Sequence, residues 1–222
     1  MTQTAIEYPP APSLGAEGLL TTLLYAVAHD LRSPLLTLSL STELIDETAG
    51  ESLRTDASGR GTIALDAMRH GARDLERMVQ ALASLSRAYR RELNVGRAPL
   101  RMLLGGHLVV SDEDGLESRL VLVDTLPVRE VIDACCGDDP AKVQVTLTPQ
   151  HAVLLLPVPS AMSEVRGAPL IALVEGLQHY AGSVLETLAA GQVLLERQGA
   201  AVEVQDVGVR VWLPRAGGMA EA

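Results

Sequence analysis

The chain has 222 residues, 47% of them hydrophobic, with aromatics at only 2% and no Phe. That length holds one large unit or two small ones, around a core of Leu, Val, Ala and Ile. The formal net charge is −10, which sets the surface against nucleic acid and anionic membrane and excludes both as main partners.

Met1 to Ser13 has no basic leader, carries Pro9, Pro10 and Pro12, and reads as a tail. The first helical pattern runs from Leu14 to Ala49. Leu20, Leu23, Leu24, Val27, Leu31, Leu35, Leu38 and Ile45 recur at spacings of three and four, the stripe of an amphipathic helix. Pro34 lies inside it. A proline removes one backbone donor and crowds the preceding turn, so a bend is expected just beyond His29. No apolar run here or elsewhere reaches the roughly 20 residues that span a bilayer.

Gly50 to Gly61 reads as a turn. A second helix follows from Thr62 to Leu93, with Leu65, Met68, Ala72, Leu75, Met78, Val79, Leu82 and Leu85 as its stripe. Two long helices with a short connection pack antiparallel. A lone hairpin exposes too much of its stripe, so two copies are expected to pair into a four-helix bundle.

Asn94 to Pro99 reads as a linker, and beyond it the period changes. Leu100 to Leu104 and Val128 to Cys136 are expected as helices, and Arg119 to Val123 as a short strand. Val143 to Thr148 and Ala152 to Val158 are strands joined at Pro149-Gln150. Pro169 to Tyr180 and Ser183 to Gln198 are helices, with Gly199 placed to end the second. Ala201 to Gln205 and Val207 to Leu213 form a closing hairpin, and residues 215–222 a tail.

Cys135 and Cys136 are adjacent. Neighbouring cysteines rarely bond each other, and two thiols do not make a zinc site. They suit reduced thiols in a cytoplasmic protein. His70, His107, His151 and His179 show no metal-ligand spacing with a third ligand. No metal site is expected.

The remaining histidine stands in the run His29-Asp30-Leu31-Arg32-Ser33-Pro34-Leu35. A neutral ring nitrogen facing solvent can attack phosphorus. A carboxylate beside it, Asp30, can hold the tautomer or take a proton. Arg32 offers a planar cation to phosphate oxygens or to a partner. This run resembles the H-box of the histidine kinase dimerisation and phosphotransfer domain. Asp74 to Arg87 is similar to that domain's second-helix ending. The resemblance covers residues 14–93 and implies that His29 accepts a phosphoryl group, with Asp30 as the adjacent acid/base residue. Ser33 stands where related phosphatases often carry Thr or Asn, so the resemblance does not extend to water-directed phosphatase activity.

Residues 97–214 resemble a shrunken histidine kinase ATP-binding domain. Val128 to Cys135 takes the place of its asparagine-box helix without an asparagine; the one Asn in the chain is Asn94, in the linker. Asp133 stands alone there. Pro157-Val158-Pro159-Ser160-Ala161 stands where an Asp-x-Gly-x-Gly loop would meet adenine, and Gly191 alone cannot replace a glycine-rich phosphate turn.

The expected class is therefore α+β: an antiparallel helical hairpin forming a dimeric four-helix bundle, then a small, degenerate, ATPase-like α/β sandwich. The resemblance implies a histidine phosphotransferase that relays phosphoryl between receiver-domain aspartates through His29. It binds no ATP and no cofactor of its own, because the receiver brings magnesium. Ser33, Leu36, Ser39, Leu40 and Arg73 are the candidate docking residues. The alternatives are a scaffold that docks on a kinase or receiver without accepting phosphoryl, and a kinase with a divergent nucleotide site.

Overall fold

The computed structural model describes Pro9, Val27 and residues 30–49, 60–111, 119–137 and 141–217. The expected tail, the start of the first helix and the hairpin turn fall largely outside these residues. The described chain is mixed helix and strand, with two sheets.

Helix α1 (Arg32–Ala49) and helix α2 (Arg60–Arg90) pack on each other. Pro34 is buried in this contact. Gly71 lets the backbones close in, since a Cβ there would stand 3.4 Å from the Pro34 carbonyl oxygen and 3.6 Å from Leu38 Cγ. Val27 and Asp30 are helical, Leu31 is a turn, and α1 starts at Arg32, so the helix is interrupted within one turn before Pro34.

After α2 come β1 (Gly96–Pro99), α3 (Leu100–Leu104), β2 (Leu108–Ser111), β3 (Leu120–Val123) and α4 (Thr125–Cys136). Next are β4 (Lys142–Leu147), β5 (His151–Leu156), a 3-10 turn (Ser160–Met162), α5 (Pro169–Glu175) and α6 (Leu177–Tyr180). Helix α7 (Val184–Glu196), β6 (Ala201–Gln205) and β7 (Gly208–Pro214) complete the order. The larger sheet has the order β2-β4-β5-β7-β6; β2 runs parallel to β4 and the other neighbours are antiparallel. β1 and β3 form a separate antiparallel ribbon, tied to the end of β7 by a bridge between Val121 and Arg215.

Three elements differ from the sequence reading. Gly96–Pro99, expected as linker, is a strand because β3 lies beside it. β2 has no local signal of its own, since its partner β4 is remote in the chain. The helix expected over Pro169 to Tyr180 breaks at Gly176, where a Cβ would fall 2.7 Å from the Tyr180 ring.

Helix α7 lies at the centre of the core. Its buried face, with Leu185, Leu188, Ala189 and Leu195, meets α2, α4 and α5. Met78, Ala81, Leu85 and Ala88 of α2 belong to the same buried cluster as Val128, Val131 and Ile132 of α4 and the inner residues of the sheet. Gly191 is buried within α7 rather than in a turn, and a Cβ on it would come to 2.3 Å from Val131 Cγ2. Alanine should gain about 1 kcal/mol of helix propensity over glycine, but overpacking a stiff, buried valine costs about 1–3 kcal/mol. Gly191→Ala is therefore expected to lower the denaturation midpoint, and adding Val131→Ala should recover part of the loss. A Gly191→Ala protein more stable than the parent would show that the α4–α7 crossing has slack.

Candidate functional site

His29 lies outside the described residues, so the site is built from its neighbours. Leu31 N–H donates to the Val27 carbonyl at 3.3 Å, and Leu35 N–H donates to the Leu31 carbonyl at 3.2 Å. Between them Pro34 has no N–H to give, so the helical ladder is interrupted one turn beyond the histidine. Thr37 Oγ1 donates to the Ser33 carbonyl at 3.1 Å, which satisfies one acceptor in the disturbed turn.

Burial divides this helix cleanly. Pro34 and Ser41 are buried toward α2, and Leu31 packs against the main core. Arg32, Ser33, Leu35, Leu36, Ser39 and Leu40 are exposed, Leu36 by 57% and Leu35 by 52%. Val27, Leu31, Arg32, Leu35, Leu36 and Ser39 line one shallow depression of about 510 Å³. Of the expected site residues, Arg32, Leu36 and Ser39 thus come together on one surface. Ser33 and Leu40 are exposed on α1 and Arg73 on α2, and none of the three lines the depression. Asp30 is partly buried beside it. Leu35 was missed: its spacing fits the apolar stripe, and only the packing of α1 on α2 shows that it faces outward.

The C-terminal half reaches this hairpin at defined points. The loop between α6 and α7 rests on α2, with Gly182, at φ 77°, placing a Cβ 3.6 Å from Arg77 Cδ. Arg77 is paired with Asp74. Arg197 Nη1 donates to the carbonyls of Ala88 at 3.1 Å and Arg91 at 2.9 Å, closing the end of α2. Asp124 caps α4 by accepting from Leu126 N–H at 3.1 Å, and its other oxygen accepts from Asn94 N–H, also at 3.1 Å. Gln198 Oε1 accepts from the Asp124 N–H.

Val128, Val131 and Ile132 face inward from α4. After β5 the chain turns down so that Met162 enters the core, and Gly167 then bonds to Val204 in both directions. Asp133 is exposed, and no group of three or more potential metal ligands occurs among the described residues. His70 is exposed, with its Nδ1 2.7 Å from the Asp66 carbonyl oxygen.

No protein-family model matches the chain, and no curated protein matches it. Among solved structures it is similar to full-length ShkA in complex with AMPPNP, at 16% identity and a TM-score of 0.42, over 94% of this chain and 47% of ShkA. It is also similar to a bacterial phosphotransferase, at 14% identity and a TM-score of 0.32, over 93% of this chain and 100% of the other. The chain thus spans less than half the length of ShkA.

The two thiols are free and set apart from this surface. Burial, then the Asp133 carboxylate, pushes Cys136 up to about 11. Burial, with Cys136 beside it, pushes Cys135 up as well. The thiolate is the reactive form, so at pH 8 Cys136 should hold about a hundredfold less of it than an exposed thiol. Iodoacetamide labelling of the folded protein should be slow at pH 8 and accelerate as the pH rises toward about 11. Rapid labelling of Cys136 at pH 8 would contradict this account of the α4 end.

Proposed function

We propose that this chain is a histidine phosphotransferase, passing a phosphoryl group between receiver-domain aspartates through His29 without binding ATP. The observation that carries the reading is the H-box run on a helix whose outer face, from Val27 to Ser39, is an open depression of arginine and leucine. A ring nitrogen of His29 forms a P–N bond as the acyl phosphate P–O bond breaks, and the receiver's carboxylate leaves with the electron pair. Asp30 takes the proton that the imidazole sheds, and Arg32 faces the phosphate oxygens or the partner. Phosphoramidate and acyl phosphate are both reactive, so transfer onward to a second receiver runs by the same steps reversed. Positioning supplies the catalysis. The receiver carries the magnesium.

Docking falls on Leu36, Ser39 and Arg32, with Ser33, Leu40 and Arg73 at its margins. The apolar side chains left in water on both helices, Leu35 and Leu40 on α1 and Val79 on α2, support a homodimer in which a second hairpin covers part of this face. Independence from nucleotide is supported by the absence of asparagine from Val128 to Cys135 and by the close packing of α4 on α7, Val131 against Gly191.

The test is phosphoryl transfer from a panel of phosphorylated receiver domains to the wild-type protein and to His29→Ala. Acid-labile, base-stable label on the wild type alone is the expected result. No label on either protein, with receiver binding kept by both, would replace this reading with that of a docking scaffold.

A further inference from the structure

Among the described strands, β3 alone pairs with β1, which leaves the outer edge of β1 without a strand partner. Leu100 N–H donates to the Arg119 carbonyl at 2.9 Å, which fixes the alternation of the antiparallel pair. Ala98 and Gly96 therefore turn their backbone groups toward Val121 and Val123. Arg97 and Pro99, opposite Leu122 and Leu120, turn theirs away. The same alternation explains why Leu120, on the other strand, gives its carbonyl outward to Ala216 N–H at 2.9 Å. Pro99 fits β1 because its missing N–H falls on the outer side. Within β1 the outward groups are the N–H and C=O of Arg97 and the C=O of Pro99, and the same alternation carried one step past the strand adds those of Val95.

Val95, Gly96, Arg97 and Pro99 are all exposed. On the same face, Leu122 and Val95 leave apolar surface in water, at 41% and 42%. An open edge with apolar side chains beside it is a template for another strand.

The chain is locally basic in sequence here, with Arg91 paired to Glu130 at 3.6 Å. Arg87, Arg90, Arg91, Arg97 and Arg101 fall within fifteen positions that hold a single acid, Glu92, in a protein of net charge −10. Arg87, Arg90 and Arg91 also line a depression of about 390 Å³ with Ala83 and Ser86, immediately before the edge in the chain. Arg90 is held over it by Ser86 Oγ at 2.8 Å. Gly71, opposite Pro34, lies about 24 Å along α2 from Arg87 at 1.5 Å per residue, so this region is separate from the surface beside the H-box.

We infer that the outer edge of β1, with the arginines of the α2 end, is a docking site for an extended acidic segment of a partner protein, which adds a third strand to the β1–β3 ribbon. Backbone bonds to Val95 and Arg97 give the register. Acidic side chains of the added strand share the face of Arg97 and meet it across the ladder, while its apolar ones fall on the opposite face with Ala98.

The test uses the full chain, labelled for residue-resolved NMR, and a capped peptide of four Val-Glu repeats, with four Val-Lys repeats as the control. The glutamate peptide should bind, shift and protect the amides of Val95 and Arg97, and weaken severalfold as salt is raised. Val95→Pro removes an outward donor without touching the β3 ladder, and Arg97→Glu reverses the charge; each should reduce binding severalfold while β3 amide signals stay in place. No binding, equal binding of the two peptides, or binding unaffected by both substitutions would overturn the proposal. Perturbation at these amides that depends on protein concentration alone would assign the edge to a second copy of the chain and overturn it equally.

Discussion

Helix α2 must bury two faces, and the structure depends on how it does so. One face, at Gly71, closes on Pro34 and Leu38 of α1. The other, with Met78, Ala81, Leu85 and Ala88 at spacings of three and four, enters the buried cluster that holds α7, α4 and the sheet. Burying side chains of the size of Met78 and Leu85 is worth about 1.5–3 kcal/mol each. A helix carrying several such residues on its second face is part of that core, and the polar contacts follow the same line. Arg197 closes the carbonyl end of α2, and Asp124 ties the following segment to the start of α4 through Asn94.

That arrangement bears on chemistry. An enzyme that carries a bound nucleotide to a histidine on a neighbouring helix needs freedom between the two parts. Here α2 shares a core with α7, and the loop bearing Gly182 rests on Arg77. Under the proposed function, such a body is a preformed surface for a partner that brings its own phosphoryl group. Single exposed leucines are ordinary, whereas Leu35, Leu36 and Leu40 form a row in water on the helix that carries Arg32.

Much of the fold was legible because its elements are local. The three-and-four spacing from Val27 to Ile45 and from Leu65 to Leu85 marks the two long helices among the described residues. The interruption at Leu31 accompanies the missing N–H of Pro34, and the alternation in Ala201–Gln205 and Gly208–Pro214 marks the closing hairpin. What was not legible depends on remote partners. β2 exists through β4, and Gly96–Pro99 is a strand through β3. Leu35 and Leu85 belong to the same kind of apolar stripe, yet one faces water and the other the core. No spacing rule distinguishes them, because the difference is which helix α7 meets. The run from His29 to Leu35 was readable only as residue types in order; the open face of α1 required the packing.

The central claim is that the helical hairpin and the strand-rich half share one core through α2 and α7. Calorimetric unfolding of the wild type and of Leu85→Ala tests it most directly. The account predicts one cooperative transition, with Leu85→Ala costing about 2–5 kcal/mol and lowering that whole transition. Two separate transitions, only one of them moved by the substitution, would contradict it.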